Sequence, residues 1–260
     1  MYNKTIYLTS DVHLGAISQE TQSSFIAWLE WAASRGDQII INGDLFDFWF
    51  EFRNGIPPGY HKALSSLRTV VQNGVPVTLI GGNHDWWGGK YLREEIGITF
   101  SQTPLLLELA GYRSFIAHGD GLGDSAIAYN FLKHLVRSKL LINLFSTLPP
   151  KLGASIAGRI SQTKHKRSEI SRQAIHRSEG LKTWAKEQFS KEPSWDLIFL
   201  GHTHIPCIEQ LDRGSFYINT GDWLHHQSFA VLKVGEKPGL YSWKQDQKVP
   251  LFIATDPKIN

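Results

Sequence analysis

"DQIIINGD" occupies residues 37–44, and its reading decides the fold. Three consecutive isoleucines, too few for a helix and β-branched throughout, read as a short buried strand that stops at Asn-Gly-Asp. Upstream, "TIYLTSD" (5–11) has the same build, and "SSFIAWLEWAASRG" (23–36) between them has helical spacing. Downstream, "YHKALSSLRTVVQNG" (60–74) and "VPVTLIGGNHD" (75–85) repeat the helix and the strand. Asp11, Asp44 and Asn83 therefore fall just past strand carboxyl ends. In an open α/β sheet that edge binds ligands.

Near residue 98 the pattern changes. "LLLELAG" (105–111) and "RSFIAHGD" (113–120) read as adjacent strands around a turn, and "DLIFLGHTH" (196–204) is another strand ending in a histidine pair. "SFYINTGDW" (215–223) and "SFAVLKV" (228–234) add strands with little room for helices. A mixed sheet, or two sheets face to face with outer helices, suits this order better than a purely parallel sheet. We expect a single domain over 1–260, with a helical insert or cap at about 125–190 where no strand stands out. Its first half is apolar, and packing onto the main body explains Leu135, Leu140, Leu141, Leu144 and Phe145 as well as a groove or membrane-facing surface does. Its second half carries Arg159, Lys164, Lys166, Arg167, Arg172 and Arg177, which read as a solvated face or as an anion-recognition cluster.

Bulk properties bound the function. The chain has 260 residues, a formal charge of +3 and 11 histidines. So small a basic excess, without an RNA or DNA motif, argues against nucleic-acid binding. The single cysteine, Cys207, suits a reducing, cytoplasmic setting. Neither a signal-peptide pattern at the N-terminus nor an uninterrupted apolar run of about 18 residues is found. No heptad pattern points to an oligomeric state.

Asp11 and His13 in "SDVHLG" alone would be an ordinary turn. "NGDLFDFW" adds Asp44 and Asp47, "GGNHD" adds Asn83 and His84, "AHGDG" adds His118 and Asp120, and "GHTH" adds His202 and His204. Imidazole, carboxylate and amide oxygen suit manganese, zinc or iron, and no thiolate takes part. Asp11, His13, Asp44, Asn83, His118, His202 and His204 are too many ligands for one tetrahedral ion. They suit two divalent ions sharing a carboxylate, for which Asp44 is the candidate. Such a pair holds a phosphate oxygen and acidifies a water for in-line attack, so phosphoester hydrolysis is the expected chemistry.

The ordered set DxH, GDxxD, GNHD, AHGD and GHTH over residues 11–204 resembles the calcineurin-like metallophosphoesterase family. The resemblance implies an α/β/β/α sandwich of two mixed sheets. It further implies one ion held by Asp11, His13, Asp44 and His204 and the other by Asp44, Asn83, His118 and His202. Asp47, Asp85 and Asp120 would then orient ligands or brace loops. "YLTSDVHLG", "GDLFDFWFE", "GNHDWW", "HGDGLG" and the long insert before "GHTH" resemble more closely the UDP-2,3-diacylglucosamine diphosphatases of lipid A biosynthesis. That implies release of UMP and 2,3-diacylglucosamine 1-phosphate from a nucleotide-linked lipid, commonly with manganese. It also implies a cytoplasmic enzyme peripherally associated with the inner membrane.

On that resemblance Asn83, His84, Tyr129, Arg159, Lys164 and Arg167 are expected to contact the head group, with Leu140, Leu144 and Phe145 lining an acyl site. His84 is the catalytic candidate, as acid or charge stabiliser. One departure stands out: the best-known such enzymes have arginine after the metal-binding asparagine, whereas His84 follows the wider family. Trp86 and Trp87 read as packing residues. Other readings keep the metals but hydrolyse another nucleotide pyrophosphate or soluble phosphodiester, or leave a noncatalytic metal-binding scaffold.

Overall fold

The computed structural model describes residues 4–123, 133–160, 172–211 and 214–251, with backbone alone at 159–160. Parallel strands β1 (Thr5–Thr9), β2 (Gln38–Asn42), β3 (Val77–Ile80) and β4 (Thr99–Ser101) form half of one sheet. Antiparallel β10 (Ser228–Lys233), β11 (Gly239–Lys244) and β12 (Gln247–Pro250) complete it, in the order β12-β11-β10-β1-β2-β3-β4. The second sheet comprises β5 (Leu105–Leu109), β6 (Tyr112–Ile116), β7 (Leu197–Leu200), β8 (Cys207–Gln210) and β9 (Phe216–Asn219), ordered β5-β6-β7-β9-β8. Both sheets are mixed, and β6, β7 and β9 run parallel.

Strand alternation builds three apolar layers. Ile6, Leu8, Ile40 and Ile80 face Ile116, Leu197, Phe199 and Ile218 between the sheets. Their neighbours Tyr7, Ile39, Ile41, Val77 and Leu79 point the other way, onto α1 (Gln19–Ala33) and α2 (His61–Gln72). On the far side, Ile198, Leu200 and Tyr217 pack against Leu181 and Ala185 of α5 (Arg172–Lys191). The central strands thus dictate an α/β/β/α sandwich, because their apolar runs must bury both faces.

Two further helices belong to the segment before α5: α3 (Lys139–Ser146) and α4 (Pro150–Ile160). Phe145 meets Phe50 edge-on at 5.0 Å and Phe52 at 5.6 Å, joining α3 to the loop after β2. Gly153 makes room for this junction, since a side chain there would overlap the Phe52 ring. Away from this junction α3 leaves Leu140 77% and Leu144 67% exposed. Among the described residues, no helix is long and apolar enough to cross a membrane.

Candidate metal centre

The carboxyl ends of β1, β2, β3, β6 and β7 converge at one end of the sandwich, and each is followed by polar side chains. Ligand-type atoms of Asp11, His13 and His204, of His13, Asp44 and His84, and of Asp11, Asp44 and His118 lie within 4.8 Å of one another in each group. Asp44 is central: its Oδ2 is 3.3 Å from His118 Nε2, 3.8 Å from His13 Nε2 and 3.9 Å from His84 Nε2. His204 Nε2 approaches Asp11 Oδ1 at 3.5 Å, and the His202 ring stands 5.3 Å from that of His118.

The backbone departs from ordinary conformation to achieve this. Asp11, His13, Asp44, His202 and His204 all have positive φ, between 52° and 69°. Left-handed conformations cost a non-glycine residue on the order of 1–3 kcal/mol and persist where surrounding structure enforces them. Here the enforcement is visible. Asp11 accepts the His202 N–H at 3.0 Å, and Asp44 Oδ1 accepts the His84 N–H at 2.9 Å. Buried Asp85 accepts N–H groups from Leu45 and Gly82 at 2.7 Å, with Asp44 and Phe46 more distant. Gly82 is required where it stands, since a Cβ would strike Asp44 Oδ1. Asp85 therefore clamps the loops carrying Asp44 and Asn83 together.

Electrostatics follow from burial and this crowding of charge. For Asp44 burial opposes ionisation, but His118, His84 and His13 overrule it and hold the carboxyl well below its usual range. His118 is raised despite burial, because Asp44 favours its protonated form. Burial pushes His202 down to about 3, aided by His118, and lowers His13. Burial and the Asp44 carboxylate push Asp85 up to about 7 against its N–H donors.

The donor atoms of this arrangement fit a cation. His13 Nδ1 and Nε2, His118 Nε2 and Asn83 Oδ1 are buried with no hydrogen-bond partner among the described residues. Each such atom costs about 1–3 kcal/mol if nothing binds it. Imidazole nitrogens, carboxylates and an amide oxygen together form a donor set for borderline divalent ions, so the residues fit the expected metals.

The remaining expected residues divide. His84 Nδ1 is anchored at 2.7 Å on the Asp47 carbonyl, which turns Nε2 toward the centre. Asp47 Oδ1 lies 3.7 Å from His13 Nδ1. Asp120 pairs with Lys133 at 2.6 Å and with Arg137 at 3.4 Å, tying the start of the helical segment to the β6 loop. Trp86 packs under the Arg137 guanidinium, and Trp87 Nε1 donates to the Val136 carbonyl. Tyr129, Lys164 and Arg167 lie outside the described residues, as does the side chain of Arg159 on α4.

Three buried residues were not singled out in the sequence. Asn42 Nδ2 donates to the Ala117 and Phe199 carbonyls, stitching β2 to the second sheet. Asn219 Nδ2 holds the Gly201 carbonyl and Thr203 Oγ1. Asp222 binds His204 Nδ1 at 3.0 Å. Their signal was available: "INGD" and "INTGD" both place an amide and a carboxylate directly after an apolar run.

Carboxylates and imidazoles gathered at one edge of an α/β/β/α sandwich, with lone pairs left over for cations, are the mark of a metal-dependent phosphoesterase. The chain belongs to the calcineurin-like phosphoesterase family, whose model matches residues 4–206. It is similar to proteins named UDP-2,3-diacylglucosamine hydrolase in several bacteria. That of Porphyromonas gingivalis is 30% identical over 244 residues, covering 87% of this chain and 93% of its own. The Escherichia coli O6:H1 protein is 29% identical over 229 residues, covering 86% and 92%. The Aeromonas hydrophila protein is 28% identical over 234 residues, covering 88% and 94%.

Proposed function

We propose that this phosphoesterase hydrolyses the pyrophosphate bond of UDP-2,3-diacylglucosamine, with water as the second reactant, giving UMP and 2,3-diacylglucosamine 1-phosphate. The observation that carries the reading is the convergence on Asp44 of donors suited to divalent ions, without hydrogen-bond partners among the described residues, in a chain whose curated relatives bear that substrate's name. Asp11, His13, Asp44 and His204 would hold one ion and Asp44, Asn83, His118 and His202 the other, manganese before zinc or iron. When bound, two such ions supply charge neutralisation at the phosphates and a water acidic enough to attack at neutral pH.

The chain's own residues do the rest. Asp85 keeps the Asp44 and Asn83 loops in register by accepting N–H groups from both. His84, 19% exposed and fixed through Nδ1, presents Nε2 to the reaction space. Protonated there, it donates to the oxygen leaving with one phosphate or stabilises charge developing on it. The exposed leucines of α3 suit a peripheral position on the cytoplasmic face of the inner membrane, where a diacylated substrate resides. Arg159, Lys164, Arg167 and Tyr129 are retained as head-group candidates, and Leu140, Leu144 and Phe145 as acyl-chain candidates.

Purified protein with manganese should release UMP from UDP-2,3-diacylglucosamine far faster than it cleaves simple phosphodiesters or nucleotide sugars without acyl chains. Equal turnover of the soluble compounds would transfer the site to a different nucleotide pyrophosphate or phosphodiester. In the same assay His84→Ala should lower kcat by about 10²- to 10⁴-fold with both ions retained. Unchanged turnover would remove His84 from the chemistry.

A further inference from the structure

"NTGDWLHHQ" (219–227) runs on from the last residue of β9, the strand beside β7, and its carboxylate reaches His204. Asp222 is fully buried, and its two oxygens have separate tasks. Oδ1 accepts the N–H groups of His225 at 2.9 Å and His226 at 3.2 Å and contacts His226 Nδ1 at 3.0 Å. Those contacts close the local turn. Oδ2 takes no part in the turn and lies 3.0 Å from His204 Nδ1, while His204 Nε2, across the ring, lies 3.5 Å from Asp11 Oδ1.

We propose that Asp222 is the positioning residue for His204: it keeps the proton on Nδ1 and the Nε2 lone pair aimed at the ion site, while His226 anchors Asp222 from the other side. The proposal rests on the reading of His204 as a metal ligand. Packing alone does not fix this ring. Its side chain is 25% exposed and stacks on His13 at 5.0 Å, a contact that survives a half-turn of the imidazole. The hydrogen bond to Oδ2 does not survive it, because a half-turn would replace Nδ1 with a carbon. A ligating imidazole is commonly held by a carboxylate or carbonyl on its other nitrogen. His118 follows the same rule, with Nδ1 on the Asn42 carbonyl at 2.9 Å.

Asp222→Asn keeps one acceptor for the turn but places an amide N–H₂ against His204, which then carries its proton on Nε2. Manganese titration by equilibrium dialysis should show two ions bound to the parent protein. In Asp222→Asn one ion should bind about 10- to 100-fold more weakly and the other unchanged, and His204→Ala should weaken the same ion. Parent-like affinity for both ions in Asp222→Asn, with one ion lost in His204→Ala, would overturn the role of Asp222 and leave His204 a ligand. Parent-like affinity in both variants would instead remove His204 from the ligand set. Should Asp222→Asn not fold, imidazole ¹⁵N NMR of the zinc-loaded parent decides, with His204 assigned from the His204→Ala spectrum. An Nδ1 proton shifted downfield by a carboxylate hydrogen bond supports the proposal, and an Nδ1 proton without that shift, or a proton on Nε2, overturns it.

Discussion

Asp44 is where one side-chain change reaches furthest. Its Oδ2 lies within 3.9 Å of nitrogens from His13, His84 and His118, while its Oδ1 accepts the His84 N–H. If the carboxylate is shared between two ions, Asp44→Ala should remove more metal than loss of any other ligand, leaving less than one ion per folded chain by elemental analysis. Two retained ions would end the bridging assignment. Cys207 makes a contrasting case, an isolated group whose behaviour is set by desolvation. Burial pushes its thiol up to about 11 from 9.0, with Lys182 opposing. Thiolate, not thiol, reacts with alkylating agents, and a shift of about two units cuts its fraction about a hundredfold at pH 8. Iodoacetamide should therefore modify the native protein about a hundredfold more slowly than the unfolded chain, the rate rising tenfold per pH unit through pH 10. A plateau near pH 9 would show the thiol to be less desolvated than this.

Among the elements, strands were the most legible. "QIIIN" and "LIFL" bury alternate residues in different layers, so an apolar run with no polar face already implies a strand covered on both sides. Residues nominated after those runs converge in space because parallel strands share a carboxyl edge. Asp222 escaped nomination because its meaning depends on His204, 18 positions earlier in the chain and on another strand's loop. Asp85 was expected to orient ligands or brace a loop, and which loops it joins, by accepting N–H groups from both, is a relation that spacing does not encode. Phe145 illustrates the same limit in the helices: apolar spacing allowed core or groove, and only the fold shows it against Phe50 and Phe52. Phe145→Ala should loosen α3 and α4 from the β2 loop at a cost of about 1–3 kcal/mol, below that of a fully buried phenylalanine. Hydrogen exchange should report faster exchange over 139–160, with protection of β1, β2 and β7 unchanged. Equal loss of protection everywhere would mean that the helices and sandwich unfold as one unit.

At the scale of the whole molecule, the question is what the outward side of α3 meets. Leu140 and Leu144 are four residues apart, so they share one helical face, and both are more exposed than any other large apolar side chain among the described residues. Water is an expensive neighbour for that face: covering a leucine is worth about 1.5–3 kcal/mol. Inserted together into a bilayer surface, the pair would contribute about 3–6 kcal/mol, a factor of at least a hundred in partitioning. Because neither side chain supports the core, Leu140→Glu with Leu144→Glu should leave the melting temperature within about 2 °C of the parent, as surface changes of up to about 0.5 kcal/mol do. Cosedimentation with zwitterionic liposomes should fall at least a hundredfold in apparent affinity, measured where vesicle charge neither attracts nor repels the new carboxylates. Undiminished cosedimentation would exclude α3 as a membrane contact. A melting temperature lowered by 5 °C or more would assign the leucines to packing that their exposure does not reveal.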